Sequence, residues 1–277
     1  MYASLDWVLE NPLNALWLLL FTRHPCFAKW PSVVLSYCKL RWGATPYRKT
    51  TRLVSTLPSV RAYAPPCTPK APCAVVQQQG RHARALGEMA PGRAILGYYA
   101  RSQVPASLVA DYLEAVVARR LVGCVSRLLI IDLCAGHQSA RMGMDAYRRR
   151  DAWRSHRDAG CEIAYVSVDR SADCAPLLCV DLLSVCMDDL LERAFAAAGW
   201  AGCDPATVAV FAWFSPPCET YSTLALGTLA TAYWGGPQRQ GKEAAYAPVG
   251  GKRGAKARAA DRLVCRVLSW LHSHATG

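Results

Sequence analysis

The sequence is short of acidic residues, with 20 Asp and Glu against 32 Lys and Arg and a formal net charge of +12. This imbalance predicts a polyanionic partner, although basic charge alone fits any nucleic acid or acidic surface. Hydrophobic residues make up 52% of the chain, which argues against disorder. A length of 277 residues is enough for one large domain with a full core.

The features of a secreted or membrane protein are also lacking. The apolar run at residues 13–21 is too short to span a bilayer and follows acidic residues, so we expect neither an anchor nor a signal peptide. The 13 cysteines are scattered without the paired spacing of a disulfide framework. We therefore expect a monomer inside the cell with mostly reduced thiols, nuclear in a eukaryotic or viral setting and otherwise cytoplasmic.

The most informative stretch is VAVFAWFSPPCETYS at residues 208–222. Its apolar first half has the length of a buried parallel strand, and Pro216 and Pro217 then force an extended turn. Cys218 follows at the carboxyl end of that strand, where open α/β sheets bind ligands, and is a candidate nucleophile. An ordinary buried or surface thiol is the alternative. The basic, glycine-rich segment at residues 227–258 is a candidate contact for nucleic acid.

A second group of residues has the order of a nucleotide-type cofactor site. Residues 128–132 form an apolar strand that runs into a turn of small residues, and residues 163–168 form the next strand. Asp169 ends that strand, and Asp181 follows it. Such a turn lets a ligand approach the backbone, while an acid at the strand tip accepts ribose hydroxyls. Gln138 stands where a second glycine is usual, and the carboxylates could equally be solvated strand ends.

The composition divides the chain into three parts. Residues 1–56 hold strand candidates and a basic, aromatic turn, residues 57–100 are a Pro- and Cys-rich insert, and residues 101–277 carry the stretches described above. The insert is a candidate target-recognition lobe. It contains Cys67, Cys73 and His82, whose spacing fits no standard zinc module because a fourth ligand and closer pairs are missing. We interpret these three as loop residues and predict no metal site.

Together these motifs resemble those of the cytosine-5 DNA methyltransferase family, especially its compact phage and algal-virus type. Residues 215–222 resemble the Pro-Cys nucleophile motif, with Glu219 where glutamine is more usual. The Glu-Asn-Pro at residues 10–12 resembles the motif that binds the target base, and residues 47–52 resemble the basic motif that follows it. Residues 132–136 resemble the first cofactor motif, and residues 103–108 the closing helix motif.

The resemblance implies an α/β, Rossmann-like fold with a seven-stranded mixed sheet and helices on both faces. It implies S-adenosylmethionine as the cofactor, bound by Asp132, Cys134, Ala135, Gly136, Asp169, Asp181 and Pro217. The implied catalytic residues are Cys218, Glu10, Arg48 and Arg52. In this scheme the Cys218 thiolate adds to C6 of a flipped cytosine, Glu10 holds N3, and the arginines contact the base or a flanking phosphate.

The order of the motifs differs from that of the common family member, in which the Glu-Asn motif follows the cofactor and nucleophile motifs. Joining the end of the chain to its start restores the usual order, so we interpret the chain as circularly permuted. A slice of a tandem array is the alternative. We expect DNA as the partner and no membrane. Methylation of RNA, as in a related tRNA-methylating branch, stays open, as does an inactive nucleic-acid-binding relative, for which Gln138 and Glu219 leave room.

Overall fold

The computed structural model describes residues 4–12, 16–17, 20, 25–40, 49–57, 66–79, 82, 104–136, 138–216, 239, 247–252 and 254–275. The strands in these ranges are β1 (Ser4–Pro12), β2 (Ser32–Ser36), β3 (Thr50–Ser55), β4 (Arg127–Leu133), β5 (Glu162–Asp169), β6 (Leu178–Cys179) and β7 (Val208–Phe214). The α-helices are α1 (Ala74–Gln79), α2 (Ala106–Arg120), α3 (Ser139–Arg148), α4 (Asp151–Asp158), α5 (Met187–Ala197) and α6 (Ala255–Ala275).

The strands form one mixed sheet of seven in the order β2-β3-β1-β7-β4-β5-β6. Strands β1, β7, β4, β5 and β6 run parallel, while β3 is antiparallel to both β1 and β2. The chain passes from β4 through β5 to β6 at one edge and then returns to β7 on the other side of β4. This reversal is the topological switch point at which open α/β sheets bind ligands, beyond the carboxyl ends of the strands. The α/β class and the seven-stranded mixed sheet expected from the sequence are confirmed.

Helices cover both faces of this sheet. Successive residues of a strand point to opposite faces, and in β4 Leu129 and Ile131 join one apolar cluster whereas Leu128 and Ile130 join the other. The first cluster includes the apolar residues of α5 and α6, and the second includes those of α2 and α3. Every residue of β7 is buried, as its uninterrupted apolar sequence predicts for a central parallel strand.

Strands from the beginning and from the later half of the chain are neighbours in the middle of the sheet. Strand β1 pairs in parallel with β7, with Ser4 opposite Ala209 and Leu9 opposite Phe214. Helix α6 follows β7 in the chain and packs on β1. Residues 1–56 and 101–277 therefore contribute strands to a single sheet. Within the ranges described above, no helix is both long and apolar enough to cross a membrane.

A buried carboxylate fastens α2 to the amino-terminal half of β1. Asp6 is fully buried, and it accepts hydrogen bonds from Arg120 Nε at 2.7 Å and from Thr56 Oγ1 at 2.9 Å. Arg119 adds a weaker contact, with its Nη1 3.9 Å from Asp6 Oδ1. Since a buried charge is costly without a counter-ion, Arg120 is the main support for this carboxylate.

Replacing Arg120 by alanine is expected to lower the free energy of unfolding by about 3 kcal/mol. Asp6 would stay buried, and among the described residues only the distant guanidinium of Arg119 would remain as its counter-ion. Urea unfolding with a fixed m value would measure the change. The matched control is Arg157→Ala, which removes an exposed ion pair with Asp158 and should cost no more than about 1 kcal/mol. Equal losses in the two variants would show that Arg120 does not support the buried charge.

Candidate functional site

The turn between β4 and α3 has an unusual backbone. Cys134, Gly136 and Gln138 all have positive φ, at 60°, 46° and 54°. For a residue other than glycine this conformation typically costs about 1–3 kcal/mol and is concentrated at functional sites. Since two of the three residues bear side chains, the surrounding contacts must enforce the conformation.

Gln138 takes the left-handed conformation that a glycine would adopt without strain. Its Nε2 donates hydrogen bonds to the main-chain oxygens of Cys174 at 3.2 Å and Ala175 at 3.0 Å. These two bonds anchor the turn to the segment that follows β5 and offset part of the strain. Gln138 therefore keeps the left-handed conformation that a second glycine would give this turn.

Asp169, at the end of β5, ties the same turn to its neighbouring strand. Its Oδ2 accepts a hydrogen bond from Gly136 N at 3.0 Å, and its Oδ1 accepts one from Ser171 N at 2.9 Å. Ala135 N donates to Val168 O at 3.1 Å just beside it. The half-buried carboxylate is thus fixed at the tip of the strand with further lone pairs on both oxygens.

The other two predicted acids lie near Asp169, around Cys134. Burial raises the pKa of the Cys134 thiol, and the charges of Asp169, Asp132 and Asp181 raise it further. A raised pKa disfavours the thiolate of Cys134 and so weakens it as a nucleophile. The structure thus brings together all the predicted cofactor residues except Pro217, which lies outside the described residues.

Asp132 and Asp181 occupy different surroundings. Asp132 is buried and accepts a hydrogen bond from Tyr165 Oη at 2.8 Å. Burial raises the pKa of Asp132 to about 8, which favours the neutral carboxyl over the carboxylate. Asp181 is exposed and accepts a hydrogen bond from Leu183 N at 2.9 Å. Among the three acids, Asp169 is half-buried and Asp181 is exposed, so these two are accessible to a polar ligand.

On the other side of the switch point, Glu10 is buried near the carboxyl end of β1. Only 3% of the residue is exposed. Tyr37 Oη donates to its Oε1 at 2.6 Å, and Ser215 Oγ donates to its Oε2 at 3.1 Å. Lys49 Nζ lies 3.5 Å from Oε1 and is itself almost buried. These contacts hold the carboxylate in one orientation beside a positive charge.

Asn11 links β1 to the turn that follows β7. Its Nδ2 donates a hydrogen bond to Pro216 O at 3.1 Å, across a sequence separation of 205 positions. Together with the bond from Ser215 to Glu10, this contact joins the predicted Glu-Asn motif to the first half of the predicted nucleophile motif. The nucleophile candidate itself, Cys218, lies outside the described residues.

The predicted arginines do not surround Glu10 in the described part of the chain. Arg48 lies outside it. Arg52 pairs with Asn11 in the register of β1 and β3, so alternation of side chains puts it on the face opposite to Glu10. Its guanidinium carbon is 5.7 Å from the centre of the Trp17 ring, and burial lowers its pKa. The cation beside Glu10 is Lys49. Lys49 belongs to the predicted basic motif at residues 47–52 but is not among the predicted catalytic residues.

Comparison with known proteins does not assign the chain to a family. No family model matches the chain, and no curated protein matches it. What the site can do therefore follows from its own chemistry. The β4–β5 side presents carboxylates and a strained backbone turn, and the β1–β7 side presents a buried carboxyl group held by hydrogen bonds.

Some of the basic residues form ion pairs that stabilise the fold. Arg239, within the segment predicted to contact nucleic acid, is 2% exposed. Its Nη2 lies 2.6 Å from Asp261 Oδ1 on α6. Arg150 is likewise paired with Asp111 and Glu114. Arg239 is therefore a structural anchor, whereas most of the segment around it lies outside the described residues.

Proposed function

We propose that the protein is an S-adenosylmethionine-dependent methyltransferase that acts on C5 of cytosine in DNA. The observation that carries the proposal is the contact of Glu10 and Asn11 with Ser215 and Pro216. In the family that the sequence resembles, the Glu-Asn and Pro-Cys motifs act on the same target base. The contact between Glu10, Asn11 and the two residues that begin the predicted nucleophile motif supports a shared base site for these two motifs.

The arrangement of the β4–β5 turn supports a cofactor beside this base site. The turn lies at the carboxyl ends of the strands next to the switch point, where doubly wound sheets bind nucleotide-type ligands. Asp169 and Asp181 would accept hydrogen bonds from the ribose and the adenine. Cys134, Ala135 and Gly136 would lie beside the cofactor where it approaches the backbone. The buried Asp132 would support the turn from inside the fold.

The topology also supports the permuted motif order. Strands β7 and β1 are adjacent and parallel, and α6 follows β7 and packs on β1. A strand that continued from α6 would lie where β1 lies, which would complete a βαβ unit. The Glu-Asn motif on β1 would then follow the nucleophile motif, as it does in the common family member.

In the proposed reaction, the Cys218 thiolate forms a bond to C6 of a cytosine that has been flipped out of the duplex. Glu10 shares a proton with N3, which withdraws charge from the ring, and Tyr37 and Ser215 keep its carboxyl group aimed at that atom. The bound cofactor supplies the methyl group that C5 receives. Water then takes the proton from C5, the electrons of the C5–H bond restore the C5–C6 double bond, and the sulfur leaves C6 as the Cys218 thiolate.

The cofactor half is tested by calorimetry with S-adenosylmethionine. We expect Asp169→Ala to weaken binding by roughly 1–3 kcal/mol, because a charge-assisted hydrogen bond is lost. Asp169→Asn, which keeps one acceptor oxygen, should lose less. Cys218→Ser should bind almost as tightly as the unchanged protein.

The matched control for this measurement is Asp173→Ala, which removes an exposed carboxylate four positions away and should leave binding unchanged. The assignment fails if Cys218→Ser loses affinity while Asp169→Ala keeps it. It also fails if the Asp169 and Asp173 variants behave alike.

A further inference from the structure

Three cysteines and a histidine converge outside the proposed active site. They are Cys38, Cys67, Cys73 and His82, and their four ligand atoms all lie within 4.8 Å of one another. The cysteines are only 5%, 3% and 3% exposed, and the histidine is half-buried. The three sulfurs are not linked as disulfides. The fourth member, Cys38, comes from a segment well before the Pro- and Cys-rich insert.

The backbone positions these side chains by its own hydrogen bonds. Cys38 lies in a single 3₁₀ turn, Tyr37–Lys39, directly after β2. Cys67 and Cys73 flank a tight turn closed by Thr68 and Ala71, whose main-chain N–H groups donate to each other's carbonyl oxygens at 3.2 and 3.1 Å. Cys67 is further fixed because its N–H donates to Ser36 Oγ at 3.0 Å.

Two of the donor distances are close to those of a tetrahedral metal shell. Zn–S bonds of about 2.3 Å and Zn–N bonds of about 2.0 Å imply neighbouring donors roughly 3.6–3.8 Å apart. The Nε2 of His82 lies 3.8 Å from Cys67 Sγ and 3.3 Å from Cys73 Sγ. Adjustments of a few tenths of an ångström would therefore place these donors around one ion.

The surroundings suit metal-bound thiolates. The N–H of Cys73 donates to Cys67 Sγ at 3.3 Å, the kind of outer contact that orients a ligand sulfur. The three thiols form an apolar cluster with Val76, which limits access of water. Packing of neutral thiols alone would not require an imidazole nitrogen directed at two of the sulfurs.

We propose that Cys38, Cys67, Cys73 and His82 bind one zinc ion. Three thiolates and one imidazole form a donor set that favours zinc over the hard cations magnesium and calcium. Four protein ligands leave no open position for water or substrate, so the ion has a structural role. The insert alone contains three ligands, which is too few for a zinc shell and led to the prediction of no metal site. The fold supplies the fourth ligand as Cys38.

The site would fasten residues 66–82 to the segment that supports Glu10. Tyr37, which donates to Glu10, precedes Cys38 directly, and its N–H donates to Lys49 O at 3.0 Å. A metal at Cys38 would thus stabilise two of the groups around the buried carboxylate. The proposed metal site does not depend on the methyltransferase activity, and its test requires no nucleic acid.

The first experiment measures the metal content of the full chain, purified under reducing conditions without chelator. We expect about one zinc per chain. Cys67→Ser and His82→Ala should lose most of it, whereas Cys124→Ser, which changes an exposed thiol elsewhere, should keep it. Equal zinc in all three variants would place the metal elsewhere and overturn the proposal.

The second experiment uses the unchanged protein, because a ligand variant could fail to fold. The metal is removed and cobalt(II) is added to the reduced chain. We expect the visible absorption of tetrahedral cobalt together with sulfur-to-cobalt charge transfer, and both should disappear when zinc is added. A folded chain with fully reduced thiols that takes up neither cobalt nor zinc would overturn the proposal.

Discussion

Glu10→Gln is expected to lower kcat for methyl transfer to cytosine by about 10²–10⁴-fold, the usual contribution of a positioned acid or base. Glutamine has nearly the same shape and can still accept a hydrogen bond from Tyr37 or Ser215. It cannot share a proton with N3 of the base, so the addition of Cys218 would lose its activation. Affinity for S-adenosylmethionine should stay unchanged, because the proposed cofactor residues within the described part of the chain follow β4, β5 and β6 and do not include Glu10.

Steady-state methylation of duplex DNA with labelled cofactor measures this effect, and calorimetry measures cofactor affinity in parallel. The control is Glu162→Gln, which changes an exposed carboxylate paired with Arg127 and should alter neither value. Tyr37→Phe, which removes one hydrogen bond to Glu10, should lower kcat by a smaller factor. A folded Glu10→Gln protein with full kcat would remove Glu10 from the proposed mechanism.

Strands β4 and β7 could be predicted from the sequence because they are buried on both faces, and β5 because most of its residues are apolar. Continuous apolar runs at residues 128–132, 163–168 and 208–214 correspond to β4, β5 and β7 almost residue for residue. The sequence also predicts a helix over residues 183–198, but α5 begins at Met187. The difference arises because Asp181 and the residues after it form a turn held by hydrogen bonds to the Asp181 side chain and carbonyl.

The surroundings of Glu10 could be predicted only in part. Ser215 and Lys49 belong to motifs visible in the sequence, although neither was given a role there. Tyr37 contacts Glu10 across 27 positions without any local pattern to indicate it. Arg52 stays a predicted contact to the base or a flanking phosphate, and the register of β3 opposite β1 puts it on the other face from Glu10. Such contacts depend on strand pairing, which apolar periodicity does not specify.

The cysteine cluster could likewise be predicted only in part from the sequence. Cys67 and Cys73 are near neighbours in sequence, and their tight turn is a local feature. Cys38 precedes Cys67 by 29 positions and joins the cluster only because β2 ends beside the 66–82 segment. Counting ligands along the insert alone therefore stops at three, one short of a zinc shell.

Covalent capture by duplex DNA that carries 5-fluorocytosine tests the central proposal most directly. With S-adenosylmethionine present, addition of Cys218 to C6 and methylation of C5 can both proceed. The fluorine at C5 cannot leave as a proton does, so the bond between sulfur and C6 cannot break. The protein should therefore migrate with the DNA in denaturing electrophoresis.

The variants assign the adduct to one thiol. Cys218→Ala should abolish it completely, whereas Cys179→Ala, which removes an exposed thiol on β6, should leave it unchanged. Glu10→Gln should slow its formation without changing the attachment site. An adduct with structured RNA and none with DNA would favour RNA as the substrate. The account predicts a Cys218-dependent adduct with DNA; no adduct with either nucleic acid, in protein shown to bind S-adenosylmethionine, would contradict it.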